Sequence, residues 1–342
     1  MRERVRAPRS GGGGAGWDAA KVKSDARPRA GAPAPRTQLL GGHMNLVVGA
    51  TGLLGGEICR QLRQAGKPVR ALTRVTADPL KVEQLKRSGV TLVQGDLKDR
   101  ASLDAACRGA STVITTASTT FSRQAGDSIQ TVDLEGQVRL VDAAKAAGVS
   151  RFVYVSYSHQ INVDCPLTTA KRTVEAHLRQ SGMTYAVLAP SVFMEVWLSP
   201  ALGFDPAHAQ ARIYGSGRNP ISWISFGDVA RFAAMSADQH SPRNATVELG
   251  GPAALSPIEV VRIFEQVGGR AFRVEHVDEQ TLRDQHAAAT DPLQQSFAAL
   301  MLAYAQGDAI EMTQTLRTFP VKLVSVSDYA RLTLAPTTSP PS

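Results

Sequence analysis

The sequence predicts an α/β fold, a doubly wound parallel sheet carrying a smaller C-terminal α/β substrate lobe. Three observations predict it. Short β-rich runs alternate with amphipathic segments from Met44 to Pro190, the pattern of a parallel sheet covered by helices on both faces. A glycine-spaced turn, Gly49-Ala50-Thr51-Gly52-Leu53-Leu54-Gly55, leads from the first run into the first amphipathic segment. Hydrophobic residues make up 43% of the 342 residues and charged residues 20%, which is enough apolar side chain for a sizeable core.

Asn45 to Val48 is the first strand, and a helix from about Leu53 to Ala65 follows, ended by Gly66. Pro68–Thr73 and Val90–Gln94 are the next strands, with a helix around Pro79–Arg87 between them. Asp99 is placed to cap a short helix, Arg100–Cys107, that Gly109 stops. Ser111–Thr116 is the fourth strand. A long helix then carries Ile129, Val132, Val138, Val141 and Ala144 on one face. Arg151–Ser156, a helix over about Thr169–Gln180, and Thr184–Ala189 complete six strands.

From Ser191 to about Leu334 the pattern is less regular. Strands are expected at Trp223–Ser225, Thr246–Leu249 and Phe272–His276, between helices at Gly227–Asp238 and Ser256–Val267. Ser256-Pro257 pairs a capping residue with proline at the first helical position. Further helices are expected at Glu279–Ala289, Leu293–Ala305 and Ser327–Leu332. The organisation is therefore residues 1–43 as a disordered extension, 44–190 as a dinucleotide-binding core, 191–335 as a substrate lobe and 336–342 as a disordered tail.

The formal net charge is +8, but nine Lys/Arg against three Asp/Glu in residues 1–43 put six of those charges in the extension. The body is then nearly neutral, which excludes a basic nucleic-acid binder. The extension has no apolar core that a secretory signal needs. Its Arg-rich composition leaves an organellar transit peptide, an upstream start-site extension and a polar tail as alternatives. The most apolar long stretch, Met183–Phe204, is interrupted by Pro190, Glu195 and Pro200 and is not a membrane span. Cys59, Cys107 and Cys165 form no CxxC or Cys/His cluster, so no metal site is expected and a reducing cytoplasm is. A homodimer is left open.

In the glycine turn, Gly49 permits the sharp bend, Gly52 admits a pyrophosphate close to the backbone, and Gly55 lets helix and sheet pack closely. Together with Thr51, Leu53 and Leu54 they present a helix N-terminus to phosphate. Sites for NAD place an acid after the second strand to bind the ribose 2′-hydroxyl. This chain has Ala71-Leu72-Thr73-Arg74 there, with no acid in that run. An arginine pairs bidentately with a 2′-phosphate, so NADP(H) is the expected cofactor. Asp96 and Leu97 follow the third strand on the adenine side. Thr116 and Ala117 follow the fourth, beneath the nicotinamide.

Several segments carry a specific likeness: GATGLLG at 49–55, VRALTR at 69–74, GDL at 95–97, AAKAAGVSRFVYVSYS at 143–158, SGMTYAVLAPSVFME at 181–195 and ISWISFGDVARFAA at 221–234. Together they resemble the NmrA-like branch of the atypical short-chain dehydrogenase/reductases, over about Met44 to Leu334. Within that branch the chain is most similar to quinone and triphenylmethane-dye reductases. The resemblance implies hydride transfer from NADPH to a quinone or similar conjugated, apolar small-molecule acceptor. Some relatives are non-enzymatic dinucleotide sensors, which is the alternative.

The catalytic Tyr-x-x-x-Lys of the superfamily would align with Leu167-Thr168-Thr169-Ala170-Lys171, so the lysine is kept and the phenol is missing. Lys171 is expected to bind the nicotinamide ribose. The superfamily's serine corresponds to Ser156 or Ser158, and Tyr157 or His159 is a substitute proton donor or a pocket wall. Asp133 stands where extended members often carry asparagine. Val192, Phe193, Met194, Trp197 and Leu198 are expected to form the apolar wall over the nicotinamide.

Overall fold

A computed structural model describes residues 43–120, 124–238 and 240–335. The expected extension, save His43, and the tail at 336–342 lie outside the described residues. The first half runs β1 (Asn45–Val48), α1 (Leu53–Gln64), β2 (Val69–Thr73), α2 (Pro79–Arg87), β3 (Thr91–Gln94), α3 (Arg100–Cys107) and β4 (Thr112–Thr115). A π-helical stretch, Ile129–Leu134, leads directly into α4 (Glu135–Ala146). Then come β5 (Arg151–Val155), α5 (Pro166–Gln180) and β6 (Thr184–Pro190). All six strands lie within a residue or two of their expected positions.

The sheet has the order β3-β2-β1-β4-β5-β6, and a seventh strand joins β6. Every pairing is parallel. Successive strand residues point to opposite faces, and each face has its own core. Val47, Ile114 and Val153 pack with Ile58 and Leu62 of α1. Leu46, Val113, Phe152 and Tyr154 pack with Leu103, Leu140, Val174 and Leu178 of α3, α4 and α5. β1, β4 and β5 are buried along their whole length, which is why these central strands read as near-continuous apolar runs.

The second half runs α6 (Met194–Trp197), β7 (Phe204–Asp205), β8 (Gln210–Tyr214), α7 (Phe226–Ser236), β9 (Ala245–Leu249), α8 (Pro257–Gly268), β10 (Arg273–Val277), α9 (Glu279–Ala288), α10 (Pro292–Gln306), α11 (Thr313–Thr318) and α12 (Val326–Leu334). Two expectations are corrected here. The strand expected at Trp223–Ser225 is not one. Ile221, Ser222, Trp223 and Ile224 are all buried, held by isolated bridges to Phe193, Leu255 and Asp308, so their apolar run reflects burial on all sides. The strand at 245–249 belongs to the main sheet rather than to the lobe, pairing Leu188 with Val247 and Pro190 with Leu249.

The lobe has a separate three-stranded sheet of order β10-β8-β7. Its core gathers Ala211, Ile213, Trp223, Val260, Phe264, Tyr304 and Val326. Ser256 caps α8 in a reciprocal capping box with Glu259.

The glycine turn supplies a packing test. A Cβ on Gly55 would lie 2.2 Å from the carbonyl oxygen of Gly49, and neither backbone can give way. Gly55→Ala is therefore expected to destabilise the fold by roughly 3 kcal/mol. One residue on, a Cβ at Gly56 meets only Ala50 O at 3.4 Å, so Gly56→Ala should be neutral or stabilise by about 0.5–1 kcal/mol through helix propensity. Urea unfolding of both variants measures the contrast.

Candidate active site

Gly49 has φ +86°, and a Cβ there would meet Thr116 Oγ1 at 2.7 Å and the Ala117 nitrogen at 2.8 Å. The turn after β1 thus presses on the chain leaving β4, and Thr116 and Ala117 sit against it. Gly52 N–H donates to Gly49 O at 2.9 Å to close the bend. At the start of α1 no side chain caps the helix, and no acid occupies its first turn. The N–H groups beginning at Leu53 and Leu54 therefore face the crevice with the partial positive charge that favours phosphate. Thr51 and Leu53 line the same turn, with Leu53 67% exposed.

At the carboxyl ends of β2 and β3 lies a second cationic feature. Arg74 NH1 donates to Asp127 Oδ2 at 2.6 Å, and Lys98 Nζ binds Asp127 Oδ1. Lys98 also stands 3.4 Å from Asp96 Oδ2, and Asp96 Oδ1 accepts the Lys98 N–H at 2.8 Å. Arg74 therefore has an acidic partner, although the run Ala71–Arg74 holds none. The partner comes from the segment between β4 and α4, 53 residues on. Burial works to raise the pKa of Asp127, but hydrogen bonds from Lys98 and Arg74 outweigh it and hold the carboxyl below its usual range. Leu97 is buried.

Lys171 points from α5 toward the end of β5. Its Nζ lies 3.5 Å from Val155 O, 4.0 Å from Asp133 Oδ1 and 5.3 Å from the centre of the Tyr154 ring. Burial pulls its pKa down, and the charges of Asp133 and Glu175 work against that. Asp133, fully buried in the π-helical turn, accepts from Thr119 N at 3.1 Å and Thr119 Oγ1 at 2.6 Å through Oδ2. Its Oδ1 has no hydrogen-bond partner among the described residues. Asp133 therefore ties the loop after β4 to the buried lysine.

Ser156, Tyr157 and His159 are brought together, yet each is engaged within the protein. Ser156 Oγ donates to Glu175 at 2.6 Å. The Tyr157 hydroxyl bonds Thr168 Oγ1, Arg172 stacks on its ring, and burial pushes the phenol well above its ordinary pKa. His159 is clamped between Glu248 at 2.6 Å and Glu175 at 2.8 Å. Ser158, the alternative serine, donates to Asp308 at 2.8 Å. Leu167 is buried under Ala299 of α10.

The residue that organises this corner, Glu175, escapes a reading by motif. Its carboxylate, 1% exposed, receives Arg172 at 2.7 Å and Arg179 at 3.0 Å besides His159 and Ser156. One signal was present: Glu175 stands at i+4 from Lys171 on the helix face that carries Val174 and Leu178.

The expected apolar wall divides. Phe193 is half-buried and tilts against Phe226 with ring centres 4.5 Å apart. Val192, Met194 and Leu198 are buried in the lobe core, and Trp197 stacks on Tyr304 at 4.6 Å. Val192, Met194 and Leu198 belong to the lobe core, whereas Phe193 and Trp197 both keep partly exposed rings. Among the described residues no group of His, Cys, Asp and Glu could hold a metal ion, and no helix is long and apolar enough to cross a membrane.

Residues 44–330 match the model of the NmrA-like family. The chain belongs to that family. This NmrA-like chain is 31% identical over 279 residues to the isoflavone reductase homolog IRL of Zea mays, covering 77% of the chain and 86% of the relative. It is 31% identical over 242 residues to the photosystem II assembly factor Ycf39 of Synechocystis, covering 70% and 72%. Among solved structures, NADPH-dependent quinone oxidoreductase QOR2 of Escherichia coli complexed with NADPH superposes with a TM-score of 0.69 at 21% identity, over 85% of this chain and 99% of that one. That likeness shows the doubly wound fold.

The Glu175 cluster makes a pH prediction. Burial works to raise the pKa of Glu175, but donors from Ser156, His159 and Arg172 outweigh it and hold the carboxyl below its ordinary range. Its contribution is present above the unfolded value of about 4.3 and is lost as pH falls toward the folded value. Glu175→Gln should cost about 2–4 kcal/mol near pH 7, a cost moderated because Arg172 and Arg179 are partly exposed to water. The same substitution should flatten the acid limb of stability, measured by thermal unfolding from about pH 3 to pH 7.

Proposed function

We propose that this NmrA-like chain is an NADPH-dependent oxidoreductase that reduces a quinone or a similar flat conjugated acceptor. The observation that carries the reading is the pairing of Arg74 and Lys98 at the ends of β2 and β3, beside a helix N-terminus that no side chain caps. Phosphate at the ribose 2′ position and pyrophosphate at α1 fit those two features. Bound there, NADPH would supply the hydride.

The chain's own residues do the rest. Gly49 and Gly52 let the backbone approach the diphosphate. Arg74 and Lys98 select the phosphorylated ribose. Lys171 orients the nicotinamide ribose through its ammonium, itself set by Asp133 and Val155 O. Phe193 offers an apolar face for a flat acceptor. A reduced quinone oxyanion is a weak base, so water can protonate it. That suits a site with Leu167 at the phenol position and with Tyr157 and His159 held by other groups. Three free cysteines, all buried, fit a reducing compartment such as the cytoplasm.

A second reading is a dinucleotide-binding regulatory protein without turnover, favoured by the buried Leu167 and by the relative named as an assembly factor. Anaerobic NADPH oxidation against a panel of quinones, dyes and aldehydes separates the two. Turnover with a quinone supports the oxidoreductase. Tight NADPH binding with no turnover on any acceptor supports the regulator.

Two substitutions test the residue roles. Lys171→Ala should lower kcat roughly 10–100-fold, through loss of one preorganised donor, while binding of 2′,5′-ADP stays within about twofold. Unchanged kcat removes Lys171 from the site. Arg74→Glu should weaken NADPH roughly 10–100-fold and leave NADH equal or tighter, by calorimetric titration. Equal loss of both cofactors would assign Arg74 a purely structural role.

A further inference from the structure

We propose that Asp127 is a specificity-determining residue: a buried counter-charge that holds down the affinity of Arg74 and Lys98 for a 2′-phosphate and so sets the ratio of NADPH to NADH binding. The proposal rests on the reading that these two cations receive the adenosine 2′-phosphate.

The geometry separates the charges by burial. The Asp127 side chain is 1% exposed, whereas Arg74 is 28% and Lys98 29% exposed. One carboxylate thus lies behind two cations that reach solvent. Each Asp127 oxygen takes one cation, Oδ2 from Arg74 and Oδ1 from Lys98, and Oδ2 also accepts the Gln124 N–H at 2.9 Å. Gln124 is fastened in turn to the loop after β2, where its Nε2 donates to Thr76 O at 3.2 Å.

Two consequences follow. An anion that binds Arg74 and Lys98 from the crevice side must share them with a carboxylate already in place. A 2′-phosphate on the same two cations also comes close enough to Asp127 for their like charges to repel, in a partly desolvated setting where screening is weak. A 2′-hydroxyl feels neither effect. Asp127 therefore acts on the phosphorylated cofactor alone, and its carboxylate lowers the discrimination that two unopposed cations would give. Asp96 also pairs with Lys98 at 3.4 Å, so Lys98 is doubly countered and Arg74 is the stronger phosphate donor.

The test is calorimetric titration of 2′,5′-ADP and 5′-ADP into wild type, Asp127→Asn, Arg74→Ala and the double variant. Asparagine keeps the volume and an oxygen to accept from Gln124, and 5′-ADP binding reports an intact fold. Asp127→Asn should tighten 2′,5′-ADP about tenfold and leave 5′-ADP within about twofold. The gain should vanish when Arg74 is also removed. Weaker 2′,5′-ADP binding in Asp127→Asn would make Asp127 a support for the cations and overturn the proposal, as would no change while Arg74→Ala still weakens 2′,5′-ADP. If neither wild type nor Asp127→Asn distinguishes the two nucleotides, the 2′-phosphate reading and the proposal fall together.

Discussion

Everything functional in this molecule depends on β1 lying between β2 and β4. The chain leaves β1 toward β2 on one side and returns to β4 on the other, so the connections diverge and open a crevice at the carboxyl ends of these strands. Gly49 is the point where that divergence is tightest. Its missing side chain lets the turn touch Thr116 and Ala117, which brings the phosphate-facing helix and the nicotinamide side of the site within one short span of chain. Arg74 and Lys98 lie on the β2–β3 side of that point, and Lys171 on the β5 side. Under the proposed function they would meet the adenosine and nicotinamide ends of the cofactor.

Charge is buried on both sides of the crevice, and in both places it is arranged around an acid. Glu175 gathers two guanidinium groups, an imidazole and a hydroxyl. Asp127 gathers an arginine and a lysine. Isolated, either carboxylate would be expensive to bury. Paired, each is compensated, and Glu175 also fixes long cationic side chains whose rotamer freedom would otherwise blur the corner they form. Glu175 fixes the corner below β5, joining α5 to His159 and through it to Glu248 of β9. The final strand of the sheet is thereby tied to the helix that carries Lys171. The lysine is placed by helix packing, by this network and by Asp133, with Asp133 also restraining the loop after β4.

The sequence made the cofactor half legible because its signals are local. A strand, a glycine turn and an amphipathic helix are contiguous, and Asp99 caps α3 by accepting from Ala101, two residues on. What was not legible came from long-range contacts. Asp127 meets Arg74 across 53 residues with no motif to announce it. β7 is two residues long, and β8 reads Gln-Ala-Arg-Ile-Tyr, half exposed, so neither produces an apolar run. Trp223–Ser225 produced such a run because it is buried between lobe and sheet. An apolar stretch reports burial, and only pairing makes it a strand. Val192 illustrates the same limit: an apolar residue after β6 was expected to face a ligand, and it is buried in the lobe core.

The proton is where fold and chemistry meet most narrowly. A ketone reduced to an alkoxide needs a strong acid at hand, and the superfamily's tyrosine supplies it beside the lysine. Here that position is Leu167, sealed by α10 through Ala299. The hydroxyls of Ser156, Tyr157 and Ser158 donate to or share hydrogen bonds with Glu175, Thr168 and Asp308. Burial raises the pKa of Tyr157 further, which makes it a poorer acid than a tyrosine beside a solvated lysine. A site built this way favours acceptors whose reduced form is already a stable anion. Quinones meet that condition through delocalisation, whereas simple ketones and aldehydes do not. The proposed acceptor class therefore rests on the lost phenol as much as on the apolar face of Phe193, and both point in the same direction.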